Sequence, residues 1–236
     1  TWNIFITARL FIISGFRDSD FKEHIKSNNF TNTTYSKYKN GELNIAINDN
    51  VFNKDVFIIY QFTSNIHEDA MKVAFLSSIA KSKGAKNVIA IIPYLPYGRQ
   101  NKCISETFIQ MISQSLDQII TFDIHDQFHN NDKLISLFAS NFFHHYISKI
   151  ENPLIVAPDS GSSMRALHLA KLYNYDLLQL AKSRLNNNIV DIRYNKGLLP
   201  NSRNCLIIDD ILDSGATIEA TSNFLRTNAA TSVYAC

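Results

Sequence analysis

The sequence predicts an α/β protein of two tandem domains, each a mostly parallel sheet flanked by helices. Three observations carry this. Apolar runs at residues 55–62, 88–92, 154–157 and 205–208 lack polar alternation, as strands buried on both faces of a parallel sheet do. Segments with helical spacing of apolar residues, at 66–83, 105–116, 162–173 and 218–226, stand between such runs. Finally, the chain echoes itself. Phe57-Ile58-Ile59-Tyr60-Gln61, with its helix and the 88–92 strand, parallels Leu206-Ile207-Ile208-Asp209-Asp210, with its helix and Val233-Tyr234-Ala235. The expected domains are residues 1–150 and 151–236, and only the second copy carries a carboxylate pair and a glycine.

Taken in order, residues 4–13 read as strand, 20–25 as a short helix and 28–40 as a polar loop. Residues 41–47 alternate polar and apolar, the pattern of a half-buried strand, and 55–62 follows as an apolar one. Gly84 ends the helix over 66–83. Pro93-Tyr94-Leu95-Pro96-Tyr97-Gly98 breaks the pattern after the 88–92 strand. A strand over 118–124 ends at His125, a turn covers Asn130-Asn131-Asp132, and 139–150 reads as helix. A strand is expected at 177–181. Residues 186–204 are polar and turn-rich, with a short strand near 189–192.

Composition narrows the function classes. The chain has 236 residues, 45% hydrophobic and 19% charged, with a formal net charge of +2. That balance argues against a nucleic-acid or membrane-surface binder. Cys103, Cys205 and Cys236 lack metal-ligand spacing and fit reduced thiols in a cytoplasmic protein. The apolar opening over residues 2–16 is interrupted by Arg9, is too short to span a bilayer and lacks signal-peptide features.

The chemistry concentrates in Cys205-Leu206-Ile207-Ile208-Asp209-Asp210-Ile211-Leu212-Asp213-Ser214-Gly215-Ala216-Thr217. A buried strand ends in two carboxylates, where open α/β sheets place their ligands. A loop of small and hydroxyl residues then feeds a helix N-terminus, whose unpaired N–H groups and positive dipole end suit a phosphate. Gly215 allows close backbone approach, and Ser214 and Thr217 add hydroxyl donors. No Gly-Lys-Ser/Thr closes the loop, so it is not of the Walker type. Adjacent carboxylates can accept hydrogen bonds from vicinal hydroxyls or hold a hydrated Mg²⁺. A phosphate cradle beside a diol reader describes a site for a sugar phosphate such as ribose 5-phosphate.

This stretch resembles the phosphoribosyl-pyrophosphate (PRPP) motif shared by type I phosphoribosyltransferases and ribose-phosphate pyrophosphokinases. Three further stretches resemble the pyrophosphokinases in particular. Pro93-Tyr94 to Tyr97-Gly98-Arg99-Gln100 is similar to that family's Pro-Tyr…Tyr-Ala-Arg-Gln segment, which implies that Arg99 and Gln100 contact ATP. Asp123-Ile124-His125 resembles its Asp-Leu-His, which implies that His125 helps hold Mg²⁺. From chemistry alone, a hydrogen-bonding histidine accounts for it as well. Pro158-Asp159-Ser160-Gly161-Ser162-Ser163-Met164-Arg165-Ala166 resembles Pro-Asp-x-Gly-Gly-x-x-Arg-Ala, implying that Asp159 is a metal ligand. Lys182-Ser183-Arg184 falls where the family has Lys-Arg-Arg on a mobile catalytic loop. Lys182 and Arg184 would then stabilise charge on the transferring group, although the residues alone allow a solvated basic turn.

The resemblance implies tandem type I phosphoribosyltransferase-like domains that form PRPP and AMP from ATP and ribose 5-phosphate. Asp209 and Asp210 would hold the ribose hydroxyls, and Asp213, Ser214, Gly215, Ala216 and Thr217 its phosphate. It also implies a homo-oligomer, a hexamer, in which Tyr38, Asn40 and Glu42 serve the adenine pocket of a neighbouring subunit. There are departures. Asn40 and Ser183 replace a carboxylate and a basic residue, the basic loop after Gln100 is short, and the chain stops at Cys236, where the family pattern implies several more elements to complete the second domain. A non-catalytic regulatory homologue and a PRPP-consuming phosphoribosyltransferase are the alternative readings.

Overall fold

The computed structural model describes residues 10–14, 30–125, 131–185 and 189–236. The helix expected over 20–25 and the first part of the strand expected over 4–13 fall outside them. The chain divides into two compact units between Leu137 and Phe138.

The first unit holds a five-stranded sheet in the order β1 (Leu10–Ser14), β4 (Asp55–Ile59), β5 (Asn87–Ile91), β6 (Gln118–Phe122), β7 (Leu134–Leu137), all parallel. Two crossover helices, α1 (Ile66–Ser82) and α2 (Lys102–Ile112), return the chain from β4 to β5 and from β5 to β6. Val56 and Ile58 of β4 and Val88 and Ala90 of β5 are fully buried with Val73 and Leu76 of α1, as a strand clad by a helix requires. Helix α1 ends where expected. Gly84 takes a φ of +77°, and a Cβ there would come within 2.6 Å of the Phe52 ring. Helix α2 begins three residues earlier than the apolar spacing suggested, because the Asn101 side chain accepts the Ile104 N–H and caps it.

Beside this sheet lies an antiparallel hairpin of β2 (Thr33–Lys37) and β3 (Leu43–Ile47). Strand β2 corrects the loop expected over 28–40. Its Thr, Tyr, Ser and Lys residues are largely exposed and show no apolar alternation, so the pairing with β3 defines it rather than burial.

The second unit is built around β8 (Leu154–Ala157). Its sheet has the order β10 (Ile189–Gly197), β9 (Leu177–Leu185), β8, β11 (Asn204–Ile207), β12 (Ser232–Ala235). All pairs are parallel except β9 with β10. Apolar runs without alternation are explained by two cores, one on each face. Ile155, Ala157, Leu206 and Ile208 pack on Ala166, Leu169 and Ala170 of α4 (Ser163–Tyr173). Leu154, Val156, Cys205 and Ile207 pack with Leu225 of α5 (Ala216–Thr227). Residues 138–150 join this unit. Ile147 enters its core, Phe138 stacks on His168 and His144 on Tyr173. They form a 3-10 turn (Ala139–Phe143) and the short α3 (His144–Ile147), less than the helix expected over 139–150. Strands β9 and β10 are also far longer than the sequence suggested. Lys182, Ser183 and Arg184 therefore lie within a strand and not in a loop.

Candidate active site

Strand order positions the site. From β8 the chain runs through α4 to β9 and β10 on one side, then crosses to β11 on the other side of β8. The order reverses between β8 and β11, and the crevice at the carboxyl ends of such strands is where open α/β sheets bind ligands. The loops that leave these two strands carry Asp159 and the Asp209-Asp210 pair.

Asp159 follows β8 and is half-buried. Its Oδ1 accepts the Ser162 N–H at 3.0 Å, and its Oδ2 pairs with the Lys182 ammonium. Burial alone would raise this carboxyl, but the Lys182 charge and the Ser162 hydrogen bonds outweigh it and hold Asp159 below the usual aspartate value. The same Lys182 Nζ lies 3.4 Å from Thr217 Oγ1. One ammonium thus joins the β8 loop to the first turn of α5. It can do so because side chains alternate along β9: Lys182 continues the face of Leu178 and Leu180, which face the α5 side of the sheet.

Asp209 and Asp210 follow β11, with Ile208 between them and the strand's last paired residue. Ser162 Oγ donates to Asp209 Oδ1 at 2.7 Å, and the Asp210 N–H donates to the same oxygen at 3.0 Å. Burial raises Asp209 above the usual aspartate value; the Ser162 bond opposes this and the Asp210 carboxyl adds to it. Asp210 Oδ2 lies 3.4 Å from Nη2 of the buried Arg165, whose Nη1 donates to the Gly161 carbonyl. The crevice therefore holds two carboxylates of opposite tendency, one stabilised as an anion by Lys182 and one made more basic by burial.

Gly215 caps α5 with φ +81°, and a Cβ there would have no heavy atom within 4 Å. Its backbone conformation requires glycine, and the space above it is open. Asp213 and Ser214 are exposed, while Ala216 and Thr217 form the half-buried first turn. The orphan N–H groups of such a turn attract an anion.

Other expected site residues lie in the first unit. Arg99 and Gln100 form an exposed turn ahead of α2. Gly98 packs against His125, so that a Cβ there would lie 3.6 Å from the His125 Cβ. That brings the Arg99 turn beside His125. Tyr38, Asn40 and Glu42 form the β2–β3 turn, with Tyr38 57% exposed and Asn40 Oδ1 accepting the Glu42 N–H. Lys37 pairs with Glu68 of α1 at 2.6 Å. Arg184 takes its place on β9 with its backbone opposite Val190, and its side chain lies outside the described residues. Among the described residues no group of three or more metal-ligating side chains occurs. A hydrated Mg²⁺ carried by a polyphosphate needs only one or two carboxylates, and the ionised Asp159 fits that role.

Ser162 and Arg165 are the site residues that reading the sequence missed. Arg165 stood within a quoted motif, but only burial and the facing Asp210 reveal its purpose.

A reversing parallel sheet with a glycine-led helix after its acidic strand defines a phosphoribosyltransferase-type domain. Family models agree. The N-terminal domain of ribose phosphate pyrophosphokinase matches residues 10–116, and the phosphoribosyl transferase domain matches 125–236. The chain belongs to the ribose-phosphate pyrophosphokinase family. It is 29% identical over 216 residues to the ribose-phosphate pyrophosphokinase of Helicobacter hepaticus, covering 86% of this chain and 70% of that protein. It is 27% identical over 224 residues to that of Buchnera aphidicola (subspecies Schizaphis graminum), covering 88% and 70%. The fold is similar to the crystal structure of phosphoribosylpyrophosphate synthetase from Mycobacterium smegmatis, with a TM-score of 0.78 and 23% identity. That similarity covers 96% of this chain and 80% of that one. No helix among the described residues is long and apolar enough to cross a membrane.

Proposed function

We propose that this protein transfers the β,γ-pyrophosphoryl group of ATP to the anomeric hydroxyl of ribose 5-phosphate, giving PRPP and AMP. The anomeric oxygen attacks the β-phosphorus and gives up its hydroxyl proton to solvent, and the bond from the α,β-bridging oxygen to that phosphorus breaks as AMP leaves. The observation that carries the reading is the meeting of Asp209, Asp210, Lys182 and the Gly215-led helix at one strand switch point, in a chain of this family.

In this reading the loop from Asp213 to Thr217 takes the 5-phosphate, with Ser214 and Thr217 donating hydroxyls and Ala216 a backbone N–H. Asp209 and Asp210 accept the ribose hydroxyls. Lys182 pairs with Asp159 at rest and lies close enough to Thr217 to meet negative charge arriving at α5. Together with Arg184 it offsets charge on the transferring group. Arg99 and Gln100 contact the nucleotide, and Tyr38, Asn40 and Glu42 serve the adenine pocket of a neighbouring subunit in a homo-oligomer. Asp159 and, in the other unit, His125 are each the residue that would hold Mg²⁺ there, and the ion when bound neutralises phosphate charge on ATP. A cytoplasmic setting supplies both substrates.

The test is to incubate the purified protein with Mg²⁺, ATP and ribose 5-phosphate and to assay AMP and PRPP, with Asp209→Ala/Asp210→Ala as control. Equal amounts of PRPP and AMP, absent from the control, are expected. Ribose 5-phosphate binding without turnover would favour a non-catalytic homologue, and base-dependent loss of added PRPP a transferase.

A further inference from the structure

Ser162 stands where the family pattern Pro-Asp-x-Gly-Gly-x-x-Arg-Ala has its second glycine. Its side chain makes bonds that a glycine has no atoms to make. The residue is 1% exposed, so its hydroxyl must find partners within the protein. Two are in reach: Asp209 Oδ1 at 2.7 Å and Asp159 Oδ1 at 3.2 Å. One hydroxyl has one proton to give, and the shorter contact takes it. Asp159 keeps the Ser162 backbone N–H at 3.0 Å, a bond that any residue at this position provides. The side chain's own contribution is therefore to Asp209.

Asp209 Oδ1 consequently receives two donors from different parts of the chain, Ser162 at the start of α4 and the Asp210 N–H beyond β11. Rotating the carboxylate would break one bond or the other. We propose that Ser162 is a positioning residue for sugar recognition, fixing the Asp209 carboxylate so that Oδ2 is presented to a ribose hydroxyl. This rests on the reading of the crevice as a ribose 5-phosphate site. Arg165 stands beside Asp210 as an ion pair, its Nη2 at 3.4 Å and its Nη1 anchored on the Gly161 carbonyl.

The inference is tested with Ser162→Ala and Ser162→Gly, the second being the residue of the family pattern and so compatible with the fold. Both keep the backbone bond to Asp159 and lose the hydroxyl. Calorimetric binding of ribose 5-phosphate without nucleotide is measured beside steady-state constants for both substrates. Ribose 5-phosphate affinity is expected to fall about tenfold in both variants, the size of one lost hydrogen bond to a charged group. Its KM should rise with it, while kcat and the KM for ATP move less, because both variants keep the backbone bond to Asp159. If either variant binds the sugar phosphate as tightly as the parent, or if both KM values rise together, Ser162 does not position Asp209. A parent protein that binds no ribose 5-phosphate would instead overturn the site reading itself, and this inference with it.

Discussion

The turn after β4 and the turn after β11 are built alike and used differently. Each leaves a buried parallel strand and enters a helix that leads to the next parallel strand. After β4, the helix supplies its own anion. Asp69, 2% exposed in the first turn of α1, accepts the Thr63 N–H and hydroxyl at 2.7 Å each and the Tyr60 hydroxyl at 2.8 Å. Burial pushes its carboxyl up, yet those bonds and the Lys72 charge outweigh it and lower it. After β11, the first turn of α5 has no buried carboxylate, and Gly215 leaves open space at the cap. Strand order differs too. Among the described residues the first sheet runs from β1 to β7 in one direction, whereas the second reverses beside β8. In the proposed reading, a β-loop-α unit takes a phosphate where the chain leaves the helix end uncompensated beside a reversal of strand order.

The largest expected effect comes from Asp210→Ala, which removes the carboxylate facing the buried Arg165 guanidinium. We expect a loss of about 3–5 kcal/mol in urea denaturation, with ribose 5-phosphate binding abolished. Asp69→Ala leaves three donors without their acceptor and should cost about 2–3 kcal/mol. Ribose 5-phosphate affinity should nevertheless be unchanged while the protein stays folded. A drop in affinity would show that the first turn is not purely structural. Gly215→Ala meets no atom within 4 Å but must hold φ near +81°, so a cost of about 1 kcal/mol is expected, with weaker sugar-phosphate binding by calorimetry.

The smallest effect is one of sign. Asp69 is lowered in the fold, so its stabilisation is complete above the ordinary aspartate value near 3.9 and is lost as pH falls through its own lower value. Asp209 is raised, so its ionised form costs stability above its folded value, and protonation relieves that cost as pH falls. Denaturation at several pH values should therefore find Asp69→Asn less stable than the parent near neutrality and Asp209→Asn slightly more stable. Both gaps should close on acidification.

Much of this was legible in the sequence for physical reasons. Leu154–Ala157 and the run from Cys205 are buried on both faces, and such strands announce themselves by lacking alternation. The Asp209–Thr217 stretch was legible as a strand-to-helix turn because a carboxylate pair there gives way to small and hydroxyl residues around Gly215, which caps the helix. Strand β2 was not, since its backbone partners lie in β3 and Lys37 pairs with the distant Glu68, and of β10 only the start near 189–192 was, its further polar residues being held by pairing with β9 at the sheet edge. Ser162 was hidden because its donor role exists only when Asp209, far along the chain, is folded against it.

The length of β9 gives the departure at Ser183 a meaning that a loop would not. Along a strand, odd and even positions belong to different surfaces. Lys182 has the parity of Leu180 and reaches Asp159 and Thr217, whereas Ser183 has the opposite parity and sits across from Asp191 on β10, 3.4 Å from its carboxylate. A serine in the middle of this triplet therefore takes no charge away from the crevice. It removes one only from the back of the ribbon, where Arg193 already answers Asp191 at 2.7 Å.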